Sequence, residues 1–252
     1  MSLQGRSILI TGAGRGLGRA FAEACAAAGA ETIVVADIRA DWGEATVEAL
    51  RKTGTKAVFL PVDLGDPKSI EGLAAKVQAQ YGHIDGLVNN GAIATGIGGK
   101  TFEEIDIETW DKVMAVNVRG TWLMTKAMAP LLRCSKLGGR IVNLASDTAL
   151  WGAPRLLHYV GSKGAVISMT RSLARELGPD GIAVNAIAPG LVLGEATEYV
   201  PEERRQLYVS GRAMPRVQHP DDVTGVVVFL LGQGAGFVTG QLIPVNGGFV
   251  FN

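Results

Sequence analysis

Residues 7–37 limit the possible folds more severely than any other stretch. SILIT (7–11) is an apolar run of strand length. GAGRGLG (12–18) follows it, then the Ala-rich RAFAEACAAAGA, of helical composition, which stops near Gly29. TIVVAD (32–37) is a second apolar run, closed by an acid. Strand, glycine turn, helix and strand make a βαβ unit. The glycines at 12, 14, 16 and 18 fit T-G-x-x-x-G-x-G rather than G-x-G-x-x-G. The physical demand is the same in both: a tight turn, close approach of backbone to a pyrophosphate, and phosphate charge held at a helix N-terminus.

Asp37 lies 19 residues after Gly18. A carboxylate at that distance can accept hydrogen bonds from adenosine ribose hydroxyls and repels a 2′-phosphate, which favours NAD over NADP. Arg15 and Arg39 point the other way, since either can contact a 2′-phosphate. The carboxylate opposes a phosphate directly, and Arg15 can pair with it, so NAD is the expected cofactor.

The same alternation continues along the chain. A helix over 41–54 and a strand over 56–62 end in Asp63, which can bind an adenine amino group or cap the next helix; Asp66-Pro67 then opens a helix over 67–81. IDGLVNNGA (84–92) is a fourth strand running into small residues. Residues 105–133 read as a long helix with a break near 117–120, where Asn117 either kinks the helix around an ordered water or is a satisfied core amide. Strands over 139–146, 182–188 and 241–245 and helices over 158–177 and 220–232 complete the pattern. Residues 191–216 are charged and irregular, and read as a mobile segment with one or two short helices covering the site. The expectation is one α/β unit over 1–252: a doubly wound, seven-stranded parallel sheet with helices on both faces. Right-handed crossovers then bring Gly12, Asp37, Asp63, Asn90, Ser146 and Pro189 to one sheet edge, where such sheets bind ligands.

Composition removes other classes. Formal net charge is zero, against a nucleic-acid or anionic-membrane surface. No apolar run approaches the ~18 residues of a membrane span, and the N-terminus carries no cleavable signal pattern. Two cysteines, Cys25 and Cys134, are too few for a disulfide framework or a zinc site, so no metal is expected and the cytoplasm is the expected compartment.

Chemistry is concentrated in NLASDTALWGAPRLLHYVGSK (143–163). Tyr159 and Lys163 are four apart and share one helix face. A phenol with a pKa of about 10 is a poor base at neutral pH, but a neighbouring ammonium lowers that pKa and makes it a general acid/base. Ser146 offers a hydroxyl to a substrate oxygen. His158 points to another helix face and is not expected to act.

These motifs together, TGAGRGLG, Asp37, Asp63-Leu64, LVNNGA, VNVRG, Ser146, YVGSK, VNAIAPG and TGQLIPVNGG, resemble the short-chain dehydrogenase/reductase superfamily in its single-domain form with a Rossmann-type sheet, over nearly the whole chain. The resemblance implies a catalytic tetrad of Asn117, Ser146, Tyr159 and Lys163. Tyr159 would exchange the proton, Ser146 would position the oxygen, Lys163 would bind the nicotinamide ribose, and Asn117 would hold a relay water. It further implies cofactor contacts from Gly12, Arg15, Gly16, Leu17, Gly18, Asp37, Asp63, Leu64, Asn90, Gly91, Tyr159, Lys163, Pro189, Gly190 and Val192. Three departures stand out. Gly91-Ala92 inverts the usual Ala-Gly. Gly194 stands where a threonine often touches the carboxamide, with Thr197 as a substitute. Asn246 replaces an aspartate.

Family analogy puts Ile93, Ser146, Leu150, Trp151, Leu156 and Met214 around the substrate, implying a medium-sized, largely apolar secondary alcohol or ketone, cyclic or aromatic. A homotetramer is implied, to which the small residues of helix 158–177 and the apolar tail would contribute. Two other readings are an NADPH-dependent 3-oxoacyl-type reductase and a dinucleotide-sensing module without turnover.

Overall fold

The computed structural model describes residues 2–251. Seven strands form one parallel sheet: β1 (Ser7–Thr11), β2 (Thr32–Asp37), β3 (Lys56–Pro61), β4 (Gly86–Asn89), β5 (Arg140–Leu144), β6 (Ala183–Pro189) and β7 (Leu242–Val245), in the order β3-β2-β1-β4-β5-β6-β7. The chain winds outward from β1 to β3, then returns to lay β4 against the other side of β1. In register, Leu9 pairs with Val34 on one side and Leu87 on the other. The crevice of a doubly wound sheet opens where the winding reverses, between the ends of β1 and β4.

Side-chain alternation along the strands sorts the core into two layers. Ile8, Ile10, Ile33, Val35, Val88 and Val142 face one layer, with α1 (Gly16–Ala27) and α9 (Asp221–Leu231) packed on it. Leu9, Val34, Leu87 and Ile141 face the other, under α3 (Pro67–Tyr81), α5 (Thr121–Arg133) and α7 (Leu157–Leu177). Helix α1 shows the logic: Phe21, Ala22 and Cys25 form a buried stripe, and burying the Phe21 ring contributes roughly 1.5–3 kcal/mol. Helix α3 starts as its sequence demands, with Asp66 accepting the Lys68 N–H and Pro67 in the first turn, and stops on left-handed Gly82. Asp66, not Asp63, is therefore the cap.

Helix α2 covers Ala40–Lys52. The long helix expected over 105–133 is α4 (Ile107–Met114), a π-helical turn (Ala115–Gly120) and α5, continuous rather than broken. The extra residue of a π-turn bulges the backbone where it is used, and Asn117 lies within it. Residues 191–216 hold a short 3₁₀ turn (Glu195–Thr197) and α8 (Glu202–Gly211), and α6 (Thr148–Trp151) is a single unanticipated turn after β5. No helix among the described residues is long and apolar enough to cross a membrane.

Candidate active site

The C-terminal ends of the strands open into a cleft of about 1190 Å³ that runs from the glycine turn to the covering segment. At the glycine end the chain touches itself through backbone. Gly12 (φ 61°) lies so near β4 that a Cβ there would come within 2.7 Å of the Gly91 Cα, and a Cβ on Gly18 would drive into the Gly12 carbonyl. Helix α1 begins at Gly16 with no side-chain cap and no acid in its first turn. Its first N–H groups and dipole are thus available to an anion. A dinucleotide fits these residues: an uncapped helix start for the pyrophosphate, and glycines where side chains would fill its space.

Asp37 fixes this turn. Its Oδ2 accepts the Gly14 N–H at 2.8 Å and its Oδ1 accepts the Arg39 N–H at 3.0 Å. Arg15 does not pair with it, contrary to expectation. The Arg15 and Arg39 guanidiniums lie 4.2 and 4.5 Å from the Trp42 ring centroid, and Arg39 is also held bidentately by Asp41. The ring face takes the cation without desolvating it as a buried carboxylate would. Leu17, Asp63 and Leu64 line the cleft as expected. Asn90 reaches it too, but spends its amide on the Thr11 and Gly12 carbonyls. A Cβ on Gly91 of the inverted Gly91-Ala92 pair would meet the end of Leu64 (Cδ1) at 2.7 Å and the Gly12 backbone N at 3.2 Å.

At the other end, β5 delivers Ser146 and α7 delivers Tyr159 and Lys163. Ser146 Oγ accepts the Thr148 N–H at 3.3 Å and the Thr148 hydroxyl at 2.9 Å, and is within hydrogen-bonding reach of the Tyr159 phenol. Lys163 is buried; its Nζ donates to the Leu144 carbonyl at 2.7 Å and lies 5.6 Å from the Tyr159 ring centroid. Burial lowers Lys163 to about 8. Burial likewise pushes Tyr159 up to about 12, against the pull of the Ser146 hydrogen bond. Burial, aided by Asp147 and Tyr199, outweighs the Ser146 hydrogen bond at the phenol, while the Lys163 ammonium is committed to the Leu144 carbonyl.

Asn117 is a satisfied amide. Its Oδ1 accepts the Ile93 N–H at 2.8 Å, and its Nδ2 donates to the Ile93 carbonyl and to Ser162 Oγ, both at 3.1 Å. Ser162 in turn donates to the Tyr159 carbonyl at 2.7 Å. Asn117 thus ties the loop after β4 to the helix carrying Tyr159. Its backbone carbonyl accepts the Thr121 hydroxyl.

Ile93, Ser146, Leu156, Pro189, Gly190 and Val192 line the cleft, whereas Leu150, Trp151 and Met214 do not. Leu150 packs against the core beside Ala145 and Val166. Met214 is exposed and tied through its backbone to Gly247. Trp151 lies edge-on to Tyr208 and Phe249, which stack at 4.4 Å, and its Nε1 donates to the Tyr208 hydroxyl. The apolar pattern could not tell cleft from core. Thr197 lines the cleft, but its hydroxyl donates to the Val192 carbonyl. Tyr199 donates across the mouth to the Ala94 carbonyl at 2.7 Å. A Cβ on Gly161 or Gly164 would meet nothing within 4 Å, so no helix of the same chain packs closely on these small residues.

Sequence reasoning missed Asp147. It is fully buried, next to Ser146, and accepts the Tyr208 hydroxyl at 3.0 Å on Oδ1. Oδ2 has no partner in normal hydrogen-bond geometry, with the Asn246 amide as a weaker neighbour. Burial raises its pKa to about 7, while Tyr208, Arg212, Asn246 and Arg204 pull it down. Buried Arg212 clamps Leu191, Arg216 and Asn246 carbonyls and Gln218 Oε1. The one available signal was an acid directly after a strand-end serine, which says nothing about burial.

Comparison with known proteins adds independent findings. The family model described as enoyl-(acyl carrier protein) reductase matches residues 12–250. The chain is 36% identical over 248 residues to (2S)-[(R)-hydroxy(phenyl)methyl]succinyl-CoA dehydrogenase subunit BbsD of Thauera aromatica, covering 98% of each chain. It is 34% identical over 250 residues to the 3-oxoacyl-[acyl-carrier-protein] reductase FabG of Aquifex aeolicus, again covering 98% of each. Among solved structures, a short-chain type dehydrogenase/reductase from Mycobacterium ulcerans superposes with a TM-score of 0.92 at 29% identity, over 99% of this chain and 91% of that one.

Proposed function

Because the chain belongs to the short-chain dehydrogenase/reductase superfamily and is an oxidoreductase of alcohol or ketone substrates, we propose that it moves a hydride between NAD(H) and a medium-sized, largely apolar secondary alcohol or ketone. One observation carries this reading: Ser146, Tyr159 and Lys163 meet in the same cleft whose far end is the glycine turn with Asp37. In oxidation, Ser146 donates a hydrogen bond to the substrate oxygen and Tyr159, as phenolate, takes its proton. Lys163 leaves the Leu144 carbonyl to support the phenolate and the cofactor ribose, and Asn117 holds α7 and the loop after β4 in place. When bound, the oxidised nicotinamide would supply the hydride acceptor and a positive charge that favours the phenolate.

Asp37 supports NAD, since a carboxylate at the ribose site opposes a 2′-phosphate and Arg39 is already neutralised by Asp41. Arg15 and the similarity to the Aquifex reductase favour the NADPH-dependent 3-oxoacyl alternative. Apolar Ile93, Leu156, Val192 and Leu193 support the substrate class. Unbridged Cys25 and Cys134 fit a reducing cytoplasm, and exposed Ile107, Trp122 and Phe251 fit a homotetramer, testable by light scattering.

The test is reduction of NAD⁺ against NADP⁺ over a panel of secondary alcohols, followed at the nicotinamide absorbance. Wild type should prefer NAD⁺. Tyr159→Phe should lose about 10²–10⁴-fold in kcat while still binding NADH. Preference for NADP⁺ would move the protein to the reductase branch, and cofactor binding without turnover of any alcohol would favour the sensing module.

A further inference from the structure

Arg155 is the one described residue other than glycine with a left-handed backbone, at φ 59°. That conformation is disfavoured for any side chain with a Cβ and persists where surrounding contacts impose it. Gly99 imposes it from two directions. Its N–H donates to the Arg155 carbonyl at 3.0 Å, and its own carbonyl accepts Arg155 Nε at 2.8 Å. Glycine would adopt this φ without strain, so the position carries an arginine in spite of its backbone.

Both Arg155 and Gly99 line the cleft, and Arg155 lies four residues before Tyr159. With Nε committed, the two terminal nitrogens of the guanidinium make no hydrogen bond or ion pair among the described residues. Arg155 acts electrostatically on Glu104, whose carboxylate is held by the Thr101 N–H. Lys112, also without an ion pair among the described residues, lines the same cleft, as do Lys163, Arg15 at the glycine end and Arg204 from α8, whose guanidinium lies over Trp151. Against them stand Asp37 and Asp63 at the glycine end, Glu203, which lines the cleft from α8, and the fully buried Asp147.

We propose that Arg155 is a specificity residue that receives a carboxylate carried by the substrate, which narrows the substrate class to secondary alcohols or ketones bearing an acid. This rests on the dehydrogenase reading above. A planar guanidinium with two free, parallel N–H groups matches a carboxylate bidentately, and the apolar wall of Ile93 and Leu156 accommodates the carbon skeleton between acid and carbinol. The backbone strain then has a use: it holds the Arg155 fork at the cleft.

The test uses a matched pair, a cyclic ketone bearing a carboxylate and its methyl ester, which keeps the shape and removes the charge. Binding to the protein in the presence of NADH is measured by calorimetry, and kcat/KM is measured in parallel. Wild type should bind the acid at least about tenfold more tightly than the ester, with the advantage shrinking as salt rises. Arg155→Gly relieves the backbone, so its melting temperature should not fall. It should weaken acid binding about 10–100-fold and leave the ester within about twofold. Equal affinity for acid and ester in wild type would overturn the proposal. Equal loss for both in Arg155→Gly would do so too, since a strut to Gly99 does not sense ligand charge. The binding contrast needs no turnover, so failure of the dehydrogenase reading appears separately, as absent reaction with every alcohol.

Discussion

At the glycine end of the cleft the contacts are made to backbone: Gly12 rests against Gly91, Gly18 lies under the Gly12 carbonyl, and the Asp37 carboxylate bonds to two main-chain N–H groups. At the substrate end they are side chain on side chain. Helix α8 buries a single residue, Tyr208, and that residue stacks on Phe249, accepts from Trp151 and donates to Asp147. The first end is made where residues 12–18, Asp37 and Asn90-Gly91 cross, and the small size of the glycines is its specification. The second gathers residues 147, 151, 208 and 249 from three segments. The backbone end should therefore be intolerant of any added atom, and the side-chain end adjustable, which suits a constant cofactor and a variable substrate.

The harshest challenge to that contrast is Gly18→Ala. Its methyl has no free space between the Gly12 carbonyl and the Asn90 amide, and neither is a flexible end. Overpacking there should cost about 1–3 kcal/mol or more and lower NADH affinity at least about 100-fold, read by melting temperature and nucleotide fluorescence. Retained affinity would mean that the turn yields and the contrast is false.

Tyr208→Phe tests the other end more gently. The ring stack with Phe249 survives, but Trp151 Nε1 and Asp147 Oδ1 lose their partner, a loss of about 1–3 kcal/mol. The expected result is a KM for the alcohol raised about tenfold, with NADH affinity within about twofold. An equal fall in NADH affinity would join the two ends into one unit.

The smallest expected effect is on pH dependence. Folding raises the Asp147 carboxyl from its ordinary value to about 7, so the folded protein takes up a proton that the unfolded chain does not hold between roughly pH 4 and 7. Stability from this group is present in acid and is lost as pH rises through that window. Asp147→Asn should flatten the melting-temperature slope between pH 5 and 8 by an amount worth on the order of 1–3 kcal/mol. An unchanged slope would place the Asp147 charge outside the linkage.

The glycine spacing, the strand-end acid and the alternation of apolar runs were legible in the chain, because each depends on neighbours a few residues away or on a repeated period; the proposed Ser146, Tyr159 and Lys163 set was legible through motif resemblance. Strand and helix spans follow from the same local rules, with two exceptions: the single turn α6, and the π-turn around Asn117, since one extra residue in a helix leaves no compositional trace. What faces what was not legible. Leu150, Trp151 and Met214 read as pocket walls and are core, aromatic knot and surface, because apolarity does not distinguish a cleft from an interior. The partner of Arg15, the burial of Asp147 and the strained turn at Arg155 arise only when separate segments meet at the sheet edge. Local periodicity determined the sheet, and motif resemblance picked out the proposed reactive set. Long-range packing alone decided which charges are buried, which are paired and which remain free, since desolvation and pairing depend on groups far away in sequence.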